Sequence, residues 1–213
     1  MRLVLLFLLL SVFVAGSGRA DDHVGFTELT ELSQFMTEGN WVKQEDGSFK
    51  LVNREGEEGW KRYHHYLYLK ETYQDFEFDF EYQHPEGGNS GLYFRITDTS
   101  DPVTHGWEVQ ILDSLGKPDA EMTHHDNGGI IKTKPADTNA SIAPGEWNRM
   151  ILRVEGTHVH VTLNGKVVQD FDITEQKPEG KEYAPFGAIG IQDHGTPFAV
   201  RNLRVKRLGE TTE

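Results

Sequence analysis

Residues 106–113, GWEVQILD, alternate in character: Trp107, Val109 and Ile111 fall on one side of an extended chain, Glu108 and Gln110 on the other. Two more segments do the same. In GNSGLYFR, residues 88–95, Leu92 and Phe94 oppose Gly91, Tyr93 and Arg95. In AIGIQDHG, residues 188–195, Ile189 and Ile191 oppose Gly190, Gln192 and His194. The three polar sides together offer a carboxylate, a guanidinium, two amides, a phenol and an imidazole, while Gly91 and Gly190 leave room for close approach to the backbone. Planar amides and charged forks suit sugar hydroxyls, and a ring suits the apolar face of a pyranose. Carbohydrate binding is therefore the expected chemistry. The plainer reading is a wet outer face carrying an Arg–Glu cross-strand pair.

Strands must hold these residues in place, and the chain supplies them. Alternating segments recur at 63–69, 76–82, 92–97, 107–112, 150–154, 158–163, 166–171, 188–192 and 198–208, separated by Gly, Asn, Asp and Pro. Asn164-Gly165 predicts a type I′ hairpin turn, because both residues tolerate positive φ. Asp46-Gly47 predicts a second hairpin between 41–44 and 49–52. Only 26–36 offers a helical period, and 114–143 reads as a long irregular segment of the kind that shapes binding sites. About a dozen short strands without a linker predict an all-β fold, a two-sheet antiparallel jelly-roll sandwich.

Composition narrows the partners. Residues 1–20 have an early Arg, an apolar run and a small-residue exit, the layout of a signal peptide cut after Ala20, which leaves 21–213 as a single domain in a secreted or periplasmic protein. The apolar run falls short of the roughly 20 residues that span a bilayer, so stable membrane insertion is not expected. The whole chain has 21 Lys and Arg against 34 Asp and Glu; loss of Arg2 and Arg19 deepens the net charge from −13 to −15. Such a surface excludes nucleic acid as a partner and favours a neutral substrate or a cation. With no cysteine, thiol chemistry and disulfides are excluded, and stability rests on a packed core.

The motifs GNSGLYFR, GWEVQILD, APGEWNRMILRVEGTHVHVTLNGKVV and GAIGIQDHGTPFAVRNLRVKRL, in that order over residues 25–208, resemble the 3-keto-disaccharide hydrolase domain family, whose fold is concanavalin-like. The resemblance implies hydrolysis of glycosides already oxidised to a ketone at C3, in secreted or periplasmic bacterial sugar catabolism. A C3 ketone acidifies the C2 proton, so a base removes it, the C1 substituent leaves and water adds. His194 or Glu108 is the candidate base; Arg95 or a divalent cation is the candidate stabiliser of the enolate oxygen. Carried over motif by motif, Asn89, Ser90, Tyr93, Gln110, Asp113 and Gln192 are the candidate substrate-binding residues. One departure stands out: Ile131 occupies a position where many relatives have tyrosine.

Two rival readings remain open at this level. FEFDFEYQ, residues 76–83, places Glu77, Asp79 and Glu81 on one face, a spacing similar to the acids of retaining β-glucanases; an acidic, water-facing side of a core strand explains it as well. The other rival is a non-catalytic, lectin-like carbohydrate-binding domain, with every groove residue binding and none reacting. A metal could draw on His64-His65 or on His124-His125-Asp126, although adjacent strand residues point to opposite faces. His158 and His160 are expected on a wet hairpin face, and Trp41 and Trp147 in the core.

Overall fold

The computed structural model describes residues 25–209. The signal-peptide segment lies outside the described residues. Thirteen strands follow in order: β1 (Thr27–Glu28), β2 (Phe35–Met36), β3 (Trp41–Lys43), β4 (Phe49–Leu51), β5 (Leu67–Tyr73), β6 (Phe76–Gln83), β7 (Asn89–Ile96), β8 (Trp107–Leu112), β9 (Asn148–Glu155), β10 (His158–Leu163), β11 (Lys166–Asp172), β12 (Gly187–Ile191) and β13 (Phe198–Arg207). One short helix, α1 (Pro102–His105), caps the β7–β8 connection, with Asp101 accepting a hydrogen bond from the Thr104 backbone N–H. The larger sheet runs β11-β10-β9-β6-β13-β4-β3, with β1 also paired to β13; the smaller runs β2-β5-β12-β7-β8. Every strand pair is antiparallel. The fold is thus the expected two-sheet jelly-roll sandwich.

Period-two alternation builds the core. Phe76, Phe78, Phe80 and Tyr82 turn inward from β6, fully buried, and meet Leu92 and Phe94 of β7, Val109 and Ile111 of β8, and Ile189 and Ile191 of β12 in one cluster. Burying side chains of this size contributes about 1.5–3 kcal/mol each, which a chain without disulfides requires. Both turn assignments are matched: Asn164 and Gly165 have φ of 50° and 79° between β10 and β11, and Gly47 has φ of 84° between β3 and β4.

Three local expectations are corrected. The 26–36 segment is no α-helix but β1, a 3-10 turn at Leu32–Gln34 and β2, because Phe35 is drawn into the core beside Phe49. Residues Tyr63–His65 form a 3-10 turn, so the strand starts only at Leu67. Trp147 is not in the core; it lies outside the larger sheet, with the Arg201 guanidinium 4.1 Å from its ring centroid.

Glu77, Asp79 and Glu81 face away from the sandwich on the larger sheet, and all three are occupied by arginines of the flanking strands. Arg153 binds Glu77, Arg201 binds Glu81, and Asp79, itself buried, accepts from both Arg149 and Arg204 at 2.7–2.9 Å. Strand register explains the ladder, since Arg153 stands opposite Glu77 while Arg201 and Arg204 stand opposite Glu81 and Asp79. This geometry speaks for cross-strand pairing rather than for a glucanase centre. Asp79→Ala leaves two guanidiniums around an empty buried position, and a loss of about 3 kcal/mol is expected; urea unfolding checks it, and a change below about 1 kcal/mol would contradict the ladder's role.

Candidate functional site

The outer face of the smaller sheet carries a second buried cluster: Tyr66, Tyr68, Tyr93, Ile96 and Ala188, with Tyr63 and Val103 packed against it. Tyr66 lies 5.6 Å from Tyr93 and 5.8 Å from Tyr68, centroid to centroid. β7 and β8 pair Tyr93 with Glu108 and Gly91 with Gln110, so the polar sides read from GNSGLYFR and GWEVQILD do come together. Gly91 gives the Glu108 side chain its space there. A Cβ at that position would run into the Glu108 carboxylate.

A chain of hydrogen bonds crosses this face. Tyr93 Oη donates to Glu108 Oε2 at 2.6 Å; Gln192 Nε2 donates to Tyr66 Oη at 2.9 Å and reaches Tyr93 Oη at 3.4 Å; Tyr66 Oη donates to the Trp60 carbonyl at 2.9 Å. Gln192 Oε1 is buried and has no partner among the described residues. Burial pushes the Glu108 carboxyl up to about 7, with the Tyr93 hydrogen bond and the Lys181 charge pulling it partly back. The Tyr93 phenol is driven far above its ordinary value, by burial first and then by the Glu108 charge, so it remains a donor.

The remaining candidates divide between this face and other places. Gln110 Nε2 donates to Asn89 Oδ1 at 3.4 Å, extending the polar row toward the β12 end. His194 follows β12, near Asp193 and Arg62; it is half-buried, and its pKa is lowered mainly by that burial, but it takes no part in the Glu108 chain. Ser90 is turned away and spends its hydroxyl on the Gln192 carbonyl at 2.8 Å. Asp113 shapes a turn by accepting from the Gly87 and Leu115 backbone N–H groups.

Arg95 is the main correction. It has φ of 53°, and the β12–β7 register shifts between Ala188 and Gly190, so β7 carries an extra residue there and strict alternation fails. Ile96 takes the outer face beside Tyr93. Arg95 is buried elsewhere, donating to the Gly156 carbonyl at 3.1 Å and to Asp75 at 3.4 Å beneath the Tyr183 ring.

The divalent-cation alternative finds no donor set: among the described residues no three His, Asp or Glu side chains are grouped to hold a metal. His124 Nδ1 accepts from the Lys132 backbone N–H, while Asp126 is taken up by Lys117 and Thr123. His158 bonds Asp170 on the exposed hairpin.

Sequence alternation missed several neighbours. Arg62 binds Asp193 at 2.6 Å and donates through Nε to His65 Nδ1 at 3.2 Å, tying the 59–65 segment to the end of β12. Tyr66 could have been found from the Tyr66-Leu67-Tyr68 alternation; nothing local marks Arg62 or Lys181. Ile131, at the family's expected tyrosine position, donates its backbone N–H to the Glu108 carbonyl at 3.0 Å, beside the site.

Fold and site together define a jelly-roll protein with a row of polar side chains on the outer face of its smaller sheet. The chain belongs to the 3-keto-alpha-glucoside-1,2-lyase-like domain family, whose family model matches residues 25–206. A 3-keto-disaccharide hydrolase of Bacteroides thetaiotaomicron is 26% identical over 200 residues, covering 77% of this chain and 69% of that protein. A solved Parabacteroides distasonis protein, described as a candidate glycosyl hydrolase, is 25% identical with a TM-score of 0.72, covering 86% of this chain and 99% of its own. Carbohydrate-binding module CBM66 of Bacillus subtilis shares the fold at 14% identity and TM-score 0.54, covering 86% and 95%.

A carboxyl whose folded pKa lies above its unfolded 4.5 gives stability that is full below that value and lost as pH rises through about 7. Glu108→Gln is therefore expected to stabilise the protein at about pH 8, by up to roughly 3 kcal/mol less a discount for partial exposure and seen as a higher melting temperature, and to change little near pH 4. Paired thermal melts at the two pH values check it; a gain of equal size at both would contradict the burial argument.

Proposed function

We propose that the protein cleaves glycosides whose C3 carbon is a ketone, with Glu108 as the base. The observation that carries this is Glu108 itself: a carboxyl near neutrality on the polar face, steered by Tyr93 and given its space by Gly91. A base with a pKa close to ambient pH balances availability against strength. The family match and the Bacteroides relative support the substrate class.

The steps balance as follows. Glu108 takes the C2 proton; the C2–H electron pair moves into C2–C3 and the ketone oxygen becomes an enolate. As the carbonyl re-forms, C1=C2 is made, the C1–O bond breaks and the aglycone leaves with the proton that Glu108 had taken, which returns the carboxylate to its charged form. Water then gives its hydroxyl to C1 and its remaining proton, by way of Glu108, to C2, so the sum is hydrolysis. Asn89, with Gln110 beside it, is suited to sugar hydroxyls, while the buried rings of Tyr66 and Tyr93 dry the surroundings of the carboxyl rather than contact the sugar. His194, with Arg62 and Asp193 beside it, is assigned to substrate contact at the β12 end rather than to proton removal. Export through the 1–20 segment completes the proposal.

Product release from a 3-keto glycoside and from its unoxidised twin is the test. Cleavage of the keto form alone is expected, with kcat/KM falling tenfold per pH unit below about 7, and with Glu108→Gln lowering it by at least about a hundredfold. Cleavage of the unoxidised twin, or sugar binding without turnover of either, would overturn the reading; the second result would make this a carbohydrate-binding domain.

A further inference from the structure

With Tyr66 and Tyr93 buried, the apolar face of a sugar needs another ring, and an aromatic ladder leads outward to one. Tyr93 lies 5.6 Å from Tyr66, Tyr66 5.9 Å from Tyr63 and Tyr63 6.1 Å from Trp60, centroid to centroid. The first two rings are buried. The last two are only partly so, which leaves Trp60 at the outer end of the ladder with surface to offer. Lys61, itself exposed, holds its ammonium 5.3 Å from the Trp60 centroid, a flexible cover that a ligand can displace.

Trp60 belongs to no strand; it lies on the connection between β4 and β5, which is pinned at several places. Its carbonyl accepts from the Tyr66 hydroxyl at 2.9 Å. Arg62 donates through Nη2 to Asp193 at 2.6 Å and through Nη1 to the Gly59 carbonyl at 2.9 Å. Asp193 is buried, and its Oδ1 also takes the Gly195 N–H at 2.8 Å. Gly195 has φ of 83°, and a Cβ there would come within 2.7 Å of the Gly59 nitrogen, so the two turns meet backbone to backbone.

This ring is near the candidate base. Only Tyr66, Gln192 and Tyr93 stand between the Trp60 carbonyl and the Glu108 carboxylate, linked by hydrogen bonds of 2.9, 2.9, 3.4 and 2.6 Å. Two linked pyranoses span such a separation. Thr196 donates to the Asn89 carbonyl at 3.3 Å, so the residue suited to sugar hydroxyls and the Trp60 segment border the same 193–196 turn.

We infer that Trp60 is a specificity-determining residue that stacks on a second sugar, the aglycone of the glycoside bound at Glu108, and that Arg62 and Asp193 are positioning residues that latch its segment onto the turn after β12. The inference rests on the Glu108 face being the substrate site. A pyranose aglycone presents C–H groups to the indole and hydroxyls to water, whereas a methyl aglycone has almost no face to stack.

The experiment measures binding by calorimetry to Glu108→Gln protein, with methyl 3-ketoglucoside and 3-keto diglucosides, each in both anomeric forms. A preference for a diglucoside is expected. Trp60→Ala lowers that preference by roughly tenfold and Trp60→Phe keeps most of it. Arg62→Met combined with Asp193→Asn, which avoids leaving a buried charge alone, lowers it in the same direction by less. A preference absent from the start, or unchanged in Trp60→Ala, overturns the stacking role. One lost in Trp60→Ala but unchanged in the double variant overturns the latch. If the Glu108→Gln protein still cleaves these ligands, the base assignment fails, and the same preference is then read from kcat/KM.

Discussion

Around β7, β8 and β12 the smaller sheet is largely buried on both faces, and the candidate site follows from that constraint. Its inner face closes the sandwich core against the phenylalanines of β6. Its outer face is kept dry by Tyr66, Tyr68 and Tyr93, with Ile96 and Ala188 among them. A carboxylate placed on an ordinary wet face titrates like any other; the same group beside these rings loses its hydration and is held near neutrality. Tyr93 supplies both sides of the balance, since its ring contributes to the burial and its hydroxyl stabilises the charged form.

The two sheets handle charge in opposite ways. On the larger sheet, carboxylates meet guanidiniums from neighbouring strands in register, and Asp79 is bound twice. Such groups are settled by their partners and have little left to offer a substrate. On the smaller sheet, Glu108 is bonded by a phenol rather than by a guanidinium. Unequal compensation is what leaves a group able to exchange a proton near pH 7. An acidic protein can thus carry many carboxylates and keep one of them poised.

The sandwich was legible because period-two alternation and the Asn-Gly and Asp-Gly turns are local properties of the chain. So were the polar rows that contain Glu108, Gln110, Tyr93 and Gln192. Alternation failed at Arg95, where an extra residue in β7 reverses the facing of everything beyond it. Ser90 and Asp113 were candidates through the motif resemblance, whereas alternation sets them on the Leu92 and Val109 sides; their short polar side chains bond nearby backbone groups instead of facing a ligand.

By itself, then, the sequence determined the strands, most of their inward and outward faces, the acidic surface and the absence of thiol chemistry, because each depends on residue type and short spacing. The tertiary structure alone decided which carboxylate is poised. Glu77, Asp79, Glu81 and Glu108 all alternate with apolar neighbours in the same way. What distinguishes them is the strand placed alongside: arginines from β9 and β13 in one sheet, Gly91 and Tyr93 from β7 in the other.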